Sequence, residues 1–360
     1  MKIGILTFHN SRNYGAVLQA YGLQEVLKSL GHEVNILDYQ NPQIAYRKSP
    51  FSMRRFFENP AKYIQRLLNI YIGYKKAIRY FGDFEKRSLN VKGDRLSAIE
   101  IRDYECDVLV VGSDQVWSTI ITGGPDPVYW GMEKPKFAKL ITYAASSCDT
   151  KYLETEEFKD ISKWLEHFSA ISVREERLKF FIERFTSNDV SVVLDPTLLA
   201  GRSIFEKITG ERCIKEPYVL LYHVETSPGL LKIARSVSKK YNAKLVSISP
   251  LILSERIKNR DICYYQANVY EMLSLIKYAE CVVALSFHGT ALSVIYEKDF
   301  YSIAGKNMAR VETLLKNIGL MDRIVNDPDD VSFDNICFDE PTKKLQLLRS
   351  ESLEWLISAL

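Results

Sequence analysis

The stretch from Cys281 to Thr290, Cys-Val-Val-Ala-Leu-Ser-Phe-His-Gly-Thr, limits the possible folds more than any other part of the chain. Val282 to Leu285 form a continuous apolar run of the length and kind found in strands buried on both faces of a parallel sheet. Gly289 breaks the run, and Ala291, Leu292, Val294 and Ile295 resume it at helical spacing. A buried strand followed at once by a helix is a βα unit. Ser286, Phe287 and His288 then stand at the carboxyl end of the strand, where open α/β sheets bind ligands and where the first N–H groups of a helix point outward. Among five histidines, His288 is therefore the first candidate for proton transfer or anion binding. A histidine also fills tight turns and caps helices, and position alone does not choose between these roles.

The same grammar recurs along the chain. Lys2 to Phe8 reads as a strand, a polar loop follows from His9 to Ala16, a helix runs from Val17 to Leu30, Gly31 stops it, and Glu33 to Tyr39 is the next strand. The loop lacks the three-glycine dinucleotide fingerprint, which argues against a nicotinamide or flavin cofactor. Asn10 and Asn13 suit a polar ligand and Gly15 permits close backbone approach, although asparagines there also cap helices. Asp107 to Val111 is a buried strand closed by Gly112-Ser113-Asp114-Gln115-Val116-Trp117. Asp114 fits a base or a hydroxyl ligand and Trp117 a face for a sugar ring; the competing reading is a turn in which Asp114 caps N–H groups. Strands at Lys139–Tyr143, Ala170–Val173 and Val190–Leu194 end on Ser146, on Arg174-Glu175-Glu176 and on Asp195-Pro196-Thr197. Arg174 suits a bidentate grip on carboxylate or phosphate, or else a salt bridge to a neighbouring glutamate.

Alternation resumes after a glycine- and proline-containing stretch. Strands are expected at Val219–Tyr222, Lys244–Ile248 and Phe300–Ile303, and helices at Leu230–Tyr241, Val269–Ala279 and Asn307–Leu315, the last carrying Arg310. The fold class is α/β, two Rossmann-like domains facing a cleft. Its parts are 1–200 with a helical insertion at 46–90, a linker at 201–217, a second domain at 218–340 and a C-terminal helix at 341–360. The insertion is basic and amphipathic, with Arg47, Lys48, Arg54, Arg55, Lys62, Arg66, Lys75, Lys76, Arg79, Lys86 and Arg87 against Glu58, Asp83 and Glu85. It is either a solvated helix packing its stripe on the sheet or a contact for an anionic membrane surface or a diphosphate-bearing acceptor.

At 360 residues, with 46% hydrophobic and 26% charged content, the chain is globular rather than disordered. A formal charge of +3 excludes a general polyanion binder such as a nucleic-acid coat. Six scattered cysteines without a Cys-x-x-Cys pair imply reduced thiols and no structural zinc, so no metal is expected. The N-terminus reads as a strand rather than a signal peptide, and no apolar run approaches the length of a bilayer span. A cytoplasmic location is expected, with a peripheral position at the inner face of the plasma membrane open.

Six segments taken together carry a resemblance: Asn13-Tyr14-Gly15-Ala16-Val17-Leu18-Gln19-Ala20, Val111-Gly112-Ser113-Asp114-Gln115-Val116-Trp117, Tyr143-Ala144-Ala145-Ser146, Ser172-Val173-Arg174-Glu175-Glu176, Leu194-Asp195-Pro196-Thr197-Leu198-Leu199 and Ser286-Phe287-His288-Gly289-Thr290. In this order they resemble the polysaccharide pyruvyl transferase family over roughly residues 1 to 320. The resemblance implies a GT-B-like fold and transfer of the enolpyruvyl unit of phosphoenolpyruvate onto a sugar as a cyclic ketal, with no cofactor beyond the donor. It implies a saccharide acceptor, 4,6-ketalated on a hexose, in capsule or exopolysaccharide assembly; the basic helix points to a lipid-diphosphate-linked acceptor. His288 is then the acid or the donor to the departing phosphate, Asp114 the base ahead of Asp195, and Arg174 and Arg310 the grip on the donor. Ser286, Gly289, Thr290, Asn10, Asn13, Tyr14, Gly15, Ser113, Gln115, Trp117 and Ser146 complete the substrate-binding set. Many relatives carry arginine where this chain has Ser286, so Arg310 or Arg12 stands in, or donor binding differs. A nucleotide-sugar glycosyltransferase of the same fold and a non-catalytic saccharide-binding protein are the alternatives.

Overall fold

The structure is a computed structural model that describes residues 1–44, 57, 59–131, 139–147, 161–223, 229–248, 261–303, 305, 308–332 and 334–360, without the side chains of 62, 65–75 and 94. Cys148 and the basic residues Arg47, Lys48, Arg54 and Arg55 lie outside this set, as do the side chains of Lys62, Arg66 and Lys75; a helix that the sequence pattern predicts over Glu156–Phe168 has its start outside it as well. The chain divides into two compact units: Met1–Ser49, Asp83–Ala200 and Gln346–Leu360 in the first, Pro50–Gly82 and Gly201–Leu345 in the second.

The first unit is built on a parallel sheet with strand order β3-β2-β1-β4-β5, where β1 is Lys2–Leu6, β2 Glu33–Tyr39, β3 Val91–Leu96, β4 Val108–Val111 and β5 Lys139–Thr142. The central strand β1 pairs Ile5 with Ile36 on one side and with Val110 on the other, so its apolar side chains are buried on both faces. That is why β1 and β4 read as unbroken apolar runs. Two further strands, β6 (Ile171–Val173) and β7 (Val190–Val192), pair with each other, and a bridge from Ile141 to Ala170 joins β6 to β5. Helix α1 (Tyr14–Ser29) starts under an Asn13 cap, whose side chain accepts from the Gly15 N–H at 2.9 Å. Its Gly22 is required by packing: a Cβ there would sit 2.7 Å from the Pro196 carbonyl oxygen. Gln346–Leu360, the latter part of the last helix, packs here through Tyr143 and Trp355, and Ser352 Oγ accepts from the Leu194 N–H at 3.0 Å.

The second unit repeats the plan with six parallel strands in the order β10-β9-β8-β11-β12-β13: Tyr218–His223 (β8), Lys244–Ile248 (β9), Cys263–Tyr264 (β10), Cys281–Leu285 (β11), Phe300–Ile303 (β12) and Ile324–Val325 (β13). Both sheets thus start centrally, grow to one side and then reverse past the first strand, which is the Rossmann order. Carboxyl ends of β1 and β4, and of β8 and β11, therefore flank a switch point in each unit. Three strands went unread in the sequence: β3, β10 and β13 lie at or near the sheet edges, and Val-Lys-Gly-Asp-Arg-Leu in β3 carries no apolar run. The stretch expected as a linker, 201–217, is helical up to Glu206, within a helix Pro196–Glu206 that breaks at Gly201 (φ 67°, ψ −175°).

The basic insertion is helical from Pro60 to Ser88. Among the described residues no helix is long and apolar enough to cross a membrane.

Candidate functional site

In the first unit the carboxyl ends of the strands gather Thr7, Ser113, Asp114, Ser146, Arg174 and Asp195. Arg174, which follows β6, is almost wholly buried; its Nη2 lies 2.9 Å from Asp195 Oδ2 and donates to Ser113 Oγ at 2.5 Å. The other carboxylate oxygen of Asp195 accepts the Thr197 N–H at 2.7 Å. This corrects two expectations. Arg174 is committed to an internal ion pair rather than presented to a donor, and Asp195, fully enclosed, is its counter-charge rather than a base for a sugar hydroxyl. A buried charge persists only with such a partner. The pair also bears on Tyr143: burial, then the Asp195 charge, raises its hydroxyl well above the ordinary phenol value, while Arg174 opposes the rise.

Ser113 Oγ accepts from the Asp114 N–H at 2.5 Å as well as from Arg174, and the Ser113 carbonyl accepts from Thr7 Oγ1 at 2.9 Å. Gln19 Nε2 donates to Thr7 Oγ1 at 2.8 Å. These bonds hold Asp114 in a left-handed backbone conformation, φ 74°, which aspartate tolerates better than most residues. Ser146 is another enclosed residue, its Oγ donating to Glu175 Oε1 at 2.5 Å, so it is a strut rather than a ligand contact. Trp117 offers no face to a sugar: it is 0% exposed, stacked on Trp130 at 4.6 Å, and its Nε1 donates to the Tyr129 carbonyl at 2.8 Å. An indole needs a partner for its N–H when buried, and here the core supplies one.

Asn10, Asn13, Asp114 and Gln115 come together. With Thr7, Phe8, Ser11, Ala16, Tyr39, Gln40, Asn41, Ile44, Ile121 and Tyr129 they line a cavity of about 170 Å3. Tyr14 is half-buried and Gly15 buried in the first turn of α1. The sequence did not single out Tyr39, Asn41 or the residue behind them, Asp126, which is fixed between Pro125 and Pro127. Asp126 accepts from Tyr39 Oη at 2.9 Å, from Asn41 Nδ2 at 2.6 Å and from the Val128 N–H at 2.9 Å. Burial and the Asp126 charge raise the Tyr39 hydroxyl far above its ordinary value, so it stays a neutral donor.

At the corresponding edge of the second unit, helix α2 (Phe287–Ile295) begins directly after β11. Ser286 is the N-cap residue, yet its side chain makes no capping bond. It is linked instead to the Tyr222 hydroxyl, whose burial raises it above the ordinary phenol range against the opposing Ser286 hydrogen bond. First-turn N–H groups left without a side-chain cap are a place for an anion. Gly289 is dictated by contact: a Cβ there would meet Tyr222 Cδ1 at 2.5 Å and Ala284 Cβ at 3.0 Å. Thr290, fully buried, shares a hydrogen bond of 2.7 Å with Ser302 Oγ and so ties the helix to β12. His288 is 7% exposed in the first turn, with the Phe287 ring edge-on at 5.2 Å.

Helix α3 (Met308–Ile318) brings Arg310 to the same place, its guanidinium 5.4 Å from the centre of the Phe287 ring. Arg310 is 8% exposed, and its Nε and Nη1 have no hydrogen-bond partner among the described residues. Of the two arginines expected to replace the one missing at 286, Arg310 stands beside the helix start, whereas Arg12 lies on the exposed loop before α1. His223, which the sequence left unremarked, ends β8 in register with Leu285, and its Nε2 lies 3.3 Å from Ser247 Oγ.

Two Rossmann-ordered units with polar carboxyl edges define the α/β architecture called GT-B. The solved structure of a UDP-N-acetylglucosamine 2-epimerase from Listeria monocytogenes superimposes with a TM-score of 0.53 at 10% identity, covering 98% of this chain and 90% of that one. A UDP-GlcNAc 2-epimerase from Methanocaldococcus jannaschii (TM-score 0.45, 12% identity, 97% and 93% covered) and the spinosyn rhamnosyltransferase SpnG (0.41, 10%, 99% and 96%) are also similar. No curated protein sequence matches the chain. The sequence pattern of one family, described as polysaccharide pyruvyl transferase, matches residues 13–307. The chain belongs to that family and is a transferase enzyme.

Proposed function

We propose that this transferase takes the enolpyruvyl group from phosphoenolpyruvate and sets it as a cyclic ketal on a hexose of a saccharide acceptor, 4,6-linked, with release of phosphate and no further cofactor. The observation that carries the donor assignment is the buried Arg310, with Nε and Nη1 unbonded among the described residues, beside the first turn of α2, which has no side-chain cap, and His288. A buried cation with no counter-charge among the described residues, beside a helix start without a side-chain cap, suits a small molecule bearing a phosphate and a carboxylate.

The chemistry needs a proton on the methylene carbon C3, which makes C2 electrophilic. His288 supplies that proton. A sugar hydroxyl adds to C2 as Asp114 takes its proton, and a second hydroxyl displaces phosphate from the same carbon, its proton leaving with the phosphate. Arg310 and the helix start stabilise the charge that gathers on the departing group. Arg174, held by Asp195, positions Ser113 and through it Asp114.

The acceptor in this reading is a lipid-diphosphate-linked oligosaccharide of capsule or exopolysaccharide assembly, met by a cytoplasmic enzyme at the inner membrane surface. The net positive charge of the Pro60–Ser88 helix is what favours that placement. The test incubates the protein with phosphoenolpyruvate and a panel of methyl hexosides, following phosphate and the product mass. Phosphate release that depends on the hexoside, with a product carrying one ketal-bound pyruvate, is the expected result. Turnover of a nucleotide sugar in its place would overturn the reading.

A further inference from the structure

Beyond residue 307, where the match to the family's pattern stops, the last helix carries two polar residues on a packed face. Arg349, Ser352, Leu356 and Ala359 follow one another at spacings of three and four, so they line one side of a helix. Ser352, Leu356 and Ala359 are buried and Arg349 is half-buried, while Leu347, Glu351, Glu354 and Ile357 are exposed. Apolar side chains would be enough for packing alone. An enclosed hydroxyl or guanidinium has to find a partner.

Both residues find theirs in a single turn. Strand β7 ends at Val192, and the chain leaves the sheet through Leu194-Asp195-Pro196-Thr197-Leu198. Ser352 Oγ accepts the Leu194 N–H at 3.0 Å and donates its own hydrogen to the Leu348 carbonyl at 2.8 Å. Tyr143 Oη donates to the Leu194 carbonyl at 3.1 Å, and the Tyr143 ring lies 6.2 Å from that of Trp355. Arg349 Nε donates to the Leu198 carbonyl at 2.9 Å. Leu198 is in the last turn before the helix breaks at Gly201, where carbonyls lose their in-register donors. The turn is therefore bonded on both sides of Asp195. Asp195 Oδ2 holds Arg174 Nη2 at 2.9 Å, Arg174 holds Ser113 Oγ at 2.5 Å, and Ser113 Oγ accepts the Asp114 N–H. Every member of this series is buried, and a close-packed interior passes a displacement on instead of absorbing it.

We propose that Ser352 and Arg349, with Tyr143, are positioning residues that set Asp114 through Asp195, Arg174 and Ser113. Asp114's role as the base rests on the transferase reading above; the bonds that place it do not.

The test compares the full chain with Ser352→Ala, Ser352→Thr and Arg349→Met. Substituting Arg174 or Asp195 would strand a buried charge, so the ion pair is left intact. Amide hydrogen exchange, read residue by residue by NMR, needs no substrate. Ser352→Ala should speed exchange roughly three- to tenfold at Leu194, which loses its acceptor, and also at Asp114, while Thr290 in the second unit keeps its rate. In turnover of phosphoenolpyruvate with the hexoside that the wild type accepts, kcat should fall roughly tenfold or more, because a slightly misplaced reacting group costs that much. The phosphoenolpyruvate needed for half-saturation should stay within about twofold. Arg349→Met keeps the stem and removes the donor, and it should lower kcat in the same way. Ser352→Thr keeps the hydroxyl and should return both readouts toward the wild type. Faster exchange confined to Leu194, as expected of a helix that only packs there, would overturn the proposal. So would a wild-type kcat in both Ser352→Ala and Arg349→Met. A wild type that does not turn over phosphoenolpyruvate loses the transferase reading, and the exchange rate at Asp114 then decides this one alone.

Discussion

Both units place a buried arginine at the carboxyl edge of a parallel sheet, and they use it in opposite ways. Arg174 has Asp195 at 2.9 Å and Ser113 at 2.5 Å, so its charge is cancelled inside the fold. Arg310 has the face of Phe287 and, among the described residues, no carboxylate within ion-pair distance and no hydrogen-bond partner for two of its nitrogens. The difference teaches how to separate a cation that builds a site from one that waits for a ligand. A buried charge is stable only when compensated, and where the protein does not compensate it, something else must. The surroundings differ too: a carboxamide-lined cavity with Asp114 in the first unit, a helix start without a side-chain cap in the second.

Mutations should break this symmetry along predictable lines. His288→Ala should cost the largest factor, about 10²–10⁴ in turnover with the fold intact by circular dichroism, because general acid catalysis supplies that much. Near-normal turnover would remove His288 from the reaction. Arg174→Ala should act on stability instead, by about 3–5 kcal/mol in urea unfolding, since it strands the enclosed Asp195 carboxylate. An unfolding midpoint like the wild type's would mean that the pair is not holding the edge together. Arg310→Ala should do the reverse: roughly tenfold more phosphoenolpyruvate to half-saturate, with stability changed by no more than about 1 kcal/mol. Gly289→Ala should destabilise by about 1–3 kcal/mol, as the new methyl meets the Tyr222 ring at 2.5 Å. Asn13→Ala should show the smallest effect, about 1 kcal/mol, by removing the cap of α1.

The central strands were legible because burial on both faces writes itself as a run such as Val108–Val111 or Val282–Leu285. Edge strands β3 and β10 face solvent on one side and left no such mark. The site was legible in part. Strand ends pointed to Asp114, Arg174 and His288, but periodicity cannot say which cation has a counter-charge. Asp195 lies 21 positions beyond Arg174 and looks like a turn residue until the β6–β7 pairing brings the two together. Trp117 misled for a similar reason: it follows a polar turn, and only the fold shows Trp130 stacked on it. Asp126 had a local signal, a carboxylate locked between two prolines, and nothing in the sequence tied it to Tyr39 or Asn41.

The account stands on Arg310 being the donor's cation. Calorimetric titration of phosphoenolpyruvate into the wild-type protein and into Arg310→Ala puts that to the test without waiting on an acceptor. Binding by the wild type, weakened about tenfold or more in a variant that melts at the same temperature, is the predicted result. Equal binding by the two proteins would contradict it.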